Sequence, residues 1–339
     1  MTTLHPLIED RRAWVGADFR DKREVVFELP PALVTKLFER AARLAATGKP
    51  FAELNPEALL DPKLADVLRA PFLEVRDGRG FVVLSPLPVE AWPLDVVKYA
   101  YWGLGAHLGR SQSQSNLGDL VGEVKDVTDV DPHARGYRNN QELSLHTDIC
   151  DMISLLVVRA AQSGGDSSVA SAFAVHNLFL KERSDLLPTL YQGARNHRRG
   201  EQAPDEAPVT PHRVPVFSVA AGALSLRYVR SYITHGLRAT GEDNPALIEA
   251  LDVLEAFAER VKTTFRLEPG EVLLLNNLTT LHARSAFVDA PEPEQKRLLL
   301  RLWLNSAGFR PLDPNIHLYG EEDGIPYVAG RTSSYAGFE

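Results

Sequence analysis

The chain has 339 residues, 44% of them hydrophobic and 24% charged, an ordinary globular composition long enough to bury a core without disulfide or metal staples. Its 45 acidic and 37 basic residues give a formal net charge of -8, which repels phosphate backbones and argues against nucleic acid as a partner. The single cysteine, Cys150, excludes an internal disulfide and cysteine-rich zinc, which fits a cytoplasmic setting. No apolar run is long enough to span a membrane, and MTTLHPLIEDRR lacks the apolar core of a signal peptide.

Residues 31–47 place Val34, Leu37, Phe38, Ala41 and Leu44 on one helical face before Gly48 and Pro50 stop the helix. A second helix is expected over 56–70, a buried strand over 80–87 and a helix over 91–109, so 1–110 reads as mostly helical wrapping. From residue 111 short apolar runs alternate with turn signals. Strands are expected at 143–148, 153–161, 167–172, 215–219, 223–229, 271–277, 281–287 and 296–305, with helical insertions at 174–191 and 245–265. This density predicts a mainly β chain with added helices. Its core, over 111–310, is a double-stranded β-helix (jelly-roll or cupin-like), with a tail over 311–339, all within one catalytic domain. The polar, Pro-rich stretch 195–214 reads as a long surface loop placed to act as a lid.

LHTD puts His146 and Asp148 two apart in an expected strand, on one face. Imidazole plus carboxylate suits a borderline divalent metal such as iron, and two histidines with one carboxylate leave coordination positions open for co-substrate and oxygen. The third ligand must come from a distant strand. His282, 134 positions after Asp148 in NNLTTLHARSAF, is the best candidate among the other histidines. His107 and His235 remain as supporting or substrate groups. Arg297 and Arg301 lie four apart on one face of the apolar run KRLLLRLWLN. A guanidinium inside a barrel can grip a carboxylate through two parallel hydrogen bonds, and Ser167, just after a Gly-Gly turn, offers a second hand on it.

These motifs together resemble the taurine dioxygenase/clavaminate-synthase-like superfamily, the TauD/TfdA domain. HTD, GGDS, NNLTTLH and R-x3-R occur in the family's order over roughly residues 100–310. The resemblance implies an Fe(II)- and 2-oxoglutarate-dependent dioxygenase that uses O2 to oxidise, by default hydroxylate, an unactivated C–H bond. It implies His146, Asp148 and His282 as iron ligands and as the catalytic set. It also implies Arg301 on the distal carboxylate of 2-oxoglutarate, Ser167 in the place of a helping threonine, and Arg297 in the same region. Asn276 stands where many relatives have Asp. The presence of Asp148 points to oxygenation, because related halogenases lose this carboxylate to make room for chloride.

Two other readings use the same residues. A metal-dependent hydrolase or isomerase on a cupin-like barrel needs a general base, for which Glu142 is the nearest acid. That reading leaves Arg301 without evident purpose, and a non-catalytic barrel that binds a small ligand with a degraded metal site is opposed by all three ligands and the arginine being intact. The expected partner is a small, carboxylate-bearing or amino-acid-like molecule; self-association into a homo-oligomer is left open. Arg227, Tyr228 and Arg230, in the expected strand ALSLRYV and just beyond it, are the candidate substrate residues, with Arg227 on one face and Tyr228 and Arg230 on the other. Ser111, Gln112, Gln114 and Ser115 offer further polar contacts.

Overall fold

A computed structural model of the chain describes residues 4–129, 136–319 and 324–331; His133 and parts of the 311–339 tail lie outside them. Among these residues the larger sheet has seven strands. In spatial order they are β1 (Val26–Glu28), β2 (Phe81–Ser85), β12 (Val272–Asn276), β6 (Met152–Arg159), β15 (Leu298–Asn305) and β3 (Arg110–Ser111), with β4 (Gly122–Val124) also paired to β15. The smaller sheet runs β11 (Thr263–Phe265), β8 (Ser167–Ser171), β13 (Thr280–Arg284), β5 (Leu143–His146). Two ribbons complete the set: β9 (Phe217–Ala220) with β10 (Ala223–Leu226), and β7 (Ser163–Gly164) with β14 (Phe287–Val288).

The two sheets face each other, and each is covered outside by helices. Leu298, Leu300, Leu302 and Leu304 of β15 point outward to α1 (Pro31–Ala45), α2 (Pro62–Asp77) and α3 (Leu94–Ala106). Leu299 and Trp303 point inward, where they meet Ile153, Leu275 and Val169. This explains why β15 is apolar on both faces: each is buried, and each Leu contributes about 1.5–3 kcal/mol. On the other side Leu145, Ala170 and Leu281 pack under α4 (Ala172–Glu182), α5 (Leu187–Gln192), α6 (Arg230–Thr240) and α7 (Pro245–Val261). Period-2 alternation therefore sends the even residues His146, His282 and Arg284 into the space between the sheets. No helix among the described residues is long and apolar enough to cross a membrane.

Several boundaries differ from the sequence expectation. The helix expected at 56–70 breaks at Asp61, whose side chain caps Lys63 N–H, and α2 then continues through Pro71 to Asp77. β1 and β2 join the larger sheet, so the first third supplies more than wrapping. The strand at 143–148 ends at His146, and the one at 223–229 ends at Leu226. The expected insertion 174–191 is broken at Arg183, and 245–265 ends as β11. The stretch 195–214 is fastened down rather than free. His197 pairs with Val209, Asn196, Arg198 and Glu201 are buried, and Arg198 Nε donates to the Leu318 carbonyl at 2.7 Å.

His176 on α4 is fully buried between Tyr191 and Phe217, with Nε2 2.9 Å from the Tyr191 hydroxyl. Burial first, and nearby His5 second, push its pKa down to about 4. A depressed folded-state value means that stability is full above the unfolded value near 6.5 and falls as pH drops toward 4. Denaturant unfolding of His176→Phe should therefore lose about 2 kcal/mol less than wild type between pH 7 and 4.5. Equal losses in the two proteins exclude His176 as an acid-sensitive point.

Candidate metal centre

β5 and β13 are antiparallel neighbours, and His146 and His282 are register partners across them. Their ring centroids lie 4.3 Å apart. Asp148 follows where β5 has ended, so its position comes from hydrogen bonds rather than from strand geometry. Thr147 N–H donates to the Tyr228 carbonyl at 2.8 Å, and Asp148 N–H donates to Asn277 Oδ1 at 3.1 Å. One ligand atom from each of His146, Asp148 and His282 lies within 4.8 Å of the others.

The electrostatics suit a cation. His146 Nδ1 is 2.8 Å from the Ser144 carbonyl, a contact that holds the proton there and leaves Nε2 with a free lone pair. Burial lowers the pKa of both imidazoles, that of His282 to about 3. Burial opposes ionisation of Asp148, but Arg301 and the two histidines outweigh it and hold the carboxyl at about 2. Trp303 Nε1 donates to Asp148 Oδ2 at 2.9 Å, and Arg301 Nη1 lies 3.6 Å from the same oxygen. Two neutral imidazoles and one ionised carboxylate form a donor set for a borderline divalent metal.

The cavity beside them is lined by Ser167, Arg284, Arg297, Arg301 and Tyr137 together with both histidines. Arg301 is held: Nε donates to Gln114 Oε1 at 2.7 Å, its guanidinium lies 4.2 Å from the Tyr137 ring centroid, and only Nη2 is buried without a partner. Arg297 differs. It is only 4% exposed, and its guanidinium makes no hydrogen bond or ion pair among the described residues. It rests on the Phe287 ring, 4.8 Å from the centroid, and burial first, then the charge of Arg284, push its pKa down to about 9. Gly165, at φ 74°, allows this approach, since a Cβ there would come within 3.1 Å of Arg297 Nε. A buried guanidinium without an anion, such as that of Arg297, marks a place for an anionic group of a ligand. The residues thus fit both an iron and 2-oxoglutarate. A roomier cleft of about 580 Å³ beside His5, Tyr191 and Phe217 has no such grouping.

Residues 45–303 match the model of the taurine catabolism dioxygenase TauD, TfdA family. The chain belongs to this family. It is an Fe(II)- and 2-oxoglutarate-dependent dioxygenase with O2 as co-substrate. It is 29% identical over 324 residues to FR-33289 synthase of Streptomyces rubellomurinus, covering 92% of this chain and 95% of the relative. The taurine hydroxylase-like protein SAT17 of Stachybotrys chartarum is 28% identical over 311 residues, covering 87% and 79%. Among solved structures, asparagine oxygenase with Fe(II), 3-hydroxyasparagine and succinate superposes with a TM-score of 0.61 at 19% identity, covering 83% of this chain and 93% of that one. The non-heme iron oxygenase OrfP with Fe and α-ketoglutaric acid gives 0.59 at 17% identity, covering 83% and 94%. These likenesses establish the jelly-roll fold.

In this TauD-family dioxygenase the residues expected to meet substrate are dispersed. Arg230 opens α6 and pairs with Asp252 at 2.5 Å and Glu255 at 3.0 Å on α7, while the Tyr228 hydroxyl donates to Glu255 at 2.6 Å. The shared-face argument fails because the strand ends at Leu226, before either residue. Arg227 is buried and donates through Nη1 to the backbone carbonyl of Asp148. Glu142 is exposed and does not line the cavity, so the hydrolase reading lacks its base. His107 accepts from Asp61 N–H at 2.9 Å, at the C-terminal end of α3. Asn276 Nδ2 donates to the Val75 carbonyl at 3.2 Å, a bond a carboxylate could not make, so it braces α2 and not the metal. Sequence reasoning missed Asn277, Trp303 and Arg284. Arg284 could have been found, since it stands two positions after His282 on the same strand face.

Proposed function

We propose that this dioxygenase hydroxylates an unactivated C–H bond of a small, amino-acid-like molecule bearing a carboxylate, with iron held by His146, Asp148 and His282. The observation that carries the reading is the convergence of these ligand atoms, within 4.8 Å, on a cavity walled by arginines. Arg297 with Ser167 takes the distal carboxylate of 2-oxoglutarate, in place of the Arg301 expected from the sequence. Arg297 has its whole fork unengaged, whereas Arg301 is committed to Gln114 and Asp148. Arg301, beside the metal ligand, is then left for the anionic group of the substrate through its buried, unpartnered Nη2.

When bound, iron would let O2 react so that one oxygen atom enters 2-oxoglutarate, which leaves as succinate and carbon dioxide, and the other oxidises the substrate. The chain's own residues bind and orient. Trp303 and Arg301 keep Asp148 ionised and aimed, Gln114 fixes Arg301, and Arg227 holds the Asp148 backbone from the other side. A charged group held by one guanidinium selects which C–H bond faces the metal. The asparagine oxygenase structure holds hydroxyasparagine and an OrfP structure holds hydroxy-L-Arg, which supports an amino-acid-like substrate.

The test is succinate release from 2-oxoglutarate under air, with Fe(II) and ascorbate, across amino acids and small carboxylates. An amino acid or related acid should stimulate release and gain one oxygen atom in mass. Stimulation by uncharged hydrocarbons alone, or a product lacking two hydrogens instead, overturns the substrate class or the outcome respectively.

A further inference from the structure

Arg284 stands two residues beyond His282 on β13, with Ser167 as its register partner on β8. It is 7% exposed and lines the same cavity as Arg297 and Ser167. Its guanidinium lies 4.9 Å from the Phe287 ring centroid, the ring on which Arg297 also rests. Nη2 donates to the carbonyl of Gln141 and lies 3.5 Å from that of Gly136; Nε and Nη1 are buried without partners. No carboxylate among the described residues forms an ion pair with either Arg284 or Arg297.

Fastening the 136–141 loop needs one donor, and a neutral side chain would serve. A full positive charge, buried next to a second one, is unfavourable until an anion enters. A carboxylate offers about four acceptor directions, enough for the fork of Arg297, the Ser167 hydroxyl and an N–H of Arg284. We propose that Arg284 is a second guanidinium for the distal carboxylate of the co-substrate, and that the Arg284–Arg297 pair makes the pocket select a diacid over a mono-acid 2-oxo acid. This rests on the reading of the cavity as the 2-oxoglutarate pocket.

The test uses Arg284→Gln, which removes the charge, and Arg284→Lys, which keeps it without the fork. Binding of glutarate, a five-carbon diacid lacking the keto oxygen, is measured on metal-free protein by calorimetry. Binding of 2-oxoglutarate and of 2-oxobutyrate, which lacks the distal carboxylate, is followed without oxygen through the visible charge-transfer band of the Fe(II) chelate. In Arg284→Gln the affinities for glutarate and 2-oxoglutarate should fall at least about tenfold and that for 2-oxobutyrate by less than about twofold, with Arg284→Lys in between. Equal losses for diacid and mono-acid, or no loss, overturn the proposal, because loop damage alone does not change their ratio. If Arg284→Gln does not fold, an unchanged ratio in Arg284→Lys overturns it. Failure of the underlying reading looks different: the wild-type protein itself then shows no preference for 2-oxoglutarate over 2-oxobutyrate.

Discussion

Asp148→Ala abolishes substrate-stimulated succinate formation and weakens Fe(II) binding by more than about 100-fold, since even residues that only support a ligand typically cost 10–100-fold. The loss has two parts. One of three ligands goes, and Arg301, 3.6 Å from the missing oxygen, now faces the metal with its charge unopposed. Trp303 also loses the acceptor for its indole N–H. The strands that carry the histidines are untouched, so the variant should unfold at a temperature close to that of metal-free wild type. Equilibrium dialysis of Fe(II) and a succinate assay decide the matter: near wild-type values in both remove Asp148 from the centre.

Arg297→Ala raises the Michaelis constant for 2-oxoglutarate by at least about 30-fold, because removing one partner of a desolvated charge pair costs about 2–5 kcal/mol. Its effect on the substrate constant should be small. Arg301→Ala should reverse the pattern, raising the substrate constant more than that of 2-oxoglutarate, and should also disturb Asp148. Steady-state kinetics of the two variants with both molecules varied gives the comparison. If Arg301→Ala proves the more damaging for 2-oxoglutarate, the two arginines exchange roles and the original sequence assignment stands.

The elements that the sequence made legible are those whose pattern is set by burial on known sides. The face Val34, Leu37, Phe38, Ala41 lies in the core below the larger sheet, and His146 and His282 converge as HTD and TLH suggested. What was illegible depends on where an element stops. Nothing in ALSLRYVRSYI marks the end of β10 at Leu226, and α6 begins after Val229, which offers no side-chain cap. Arg227, Tyr228 and Arg230 were therefore assigned strand faces they do not have. The choice between Arg297 and Arg301 was illegible for another reason. Both face the same cavity, Arg297 just before β15 and Arg301 within it, and what sets Arg301 apart is its engagement by Gln114, 187 positions away, and by Asp148. At 195–214 the polar sequence is exposed over 204–208 as its composition suggests, but it does not reveal that Arg198 and Glu201 are buried because tertiary partners receive them.

The pairing of His146 with His282 across β5 and β13 also links metal binding to folding. The two residues are 136 positions apart (282 minus 146), and a slip of one residue in that pairing would turn one imidazole toward the apolar helices on the far side of the sheet. With the proposed ligand set, strong iron binding requires a chain that has aligned these strands correctly. At an iron concentration 100 times the dissociation constant the correctly aligned state gains about 2.7 kcal/mol over misaligned ones that do not bind it. An ion held by the proposed ligands would favour the correct strand register as well as serve the reaction, and a chelator would remove both effects.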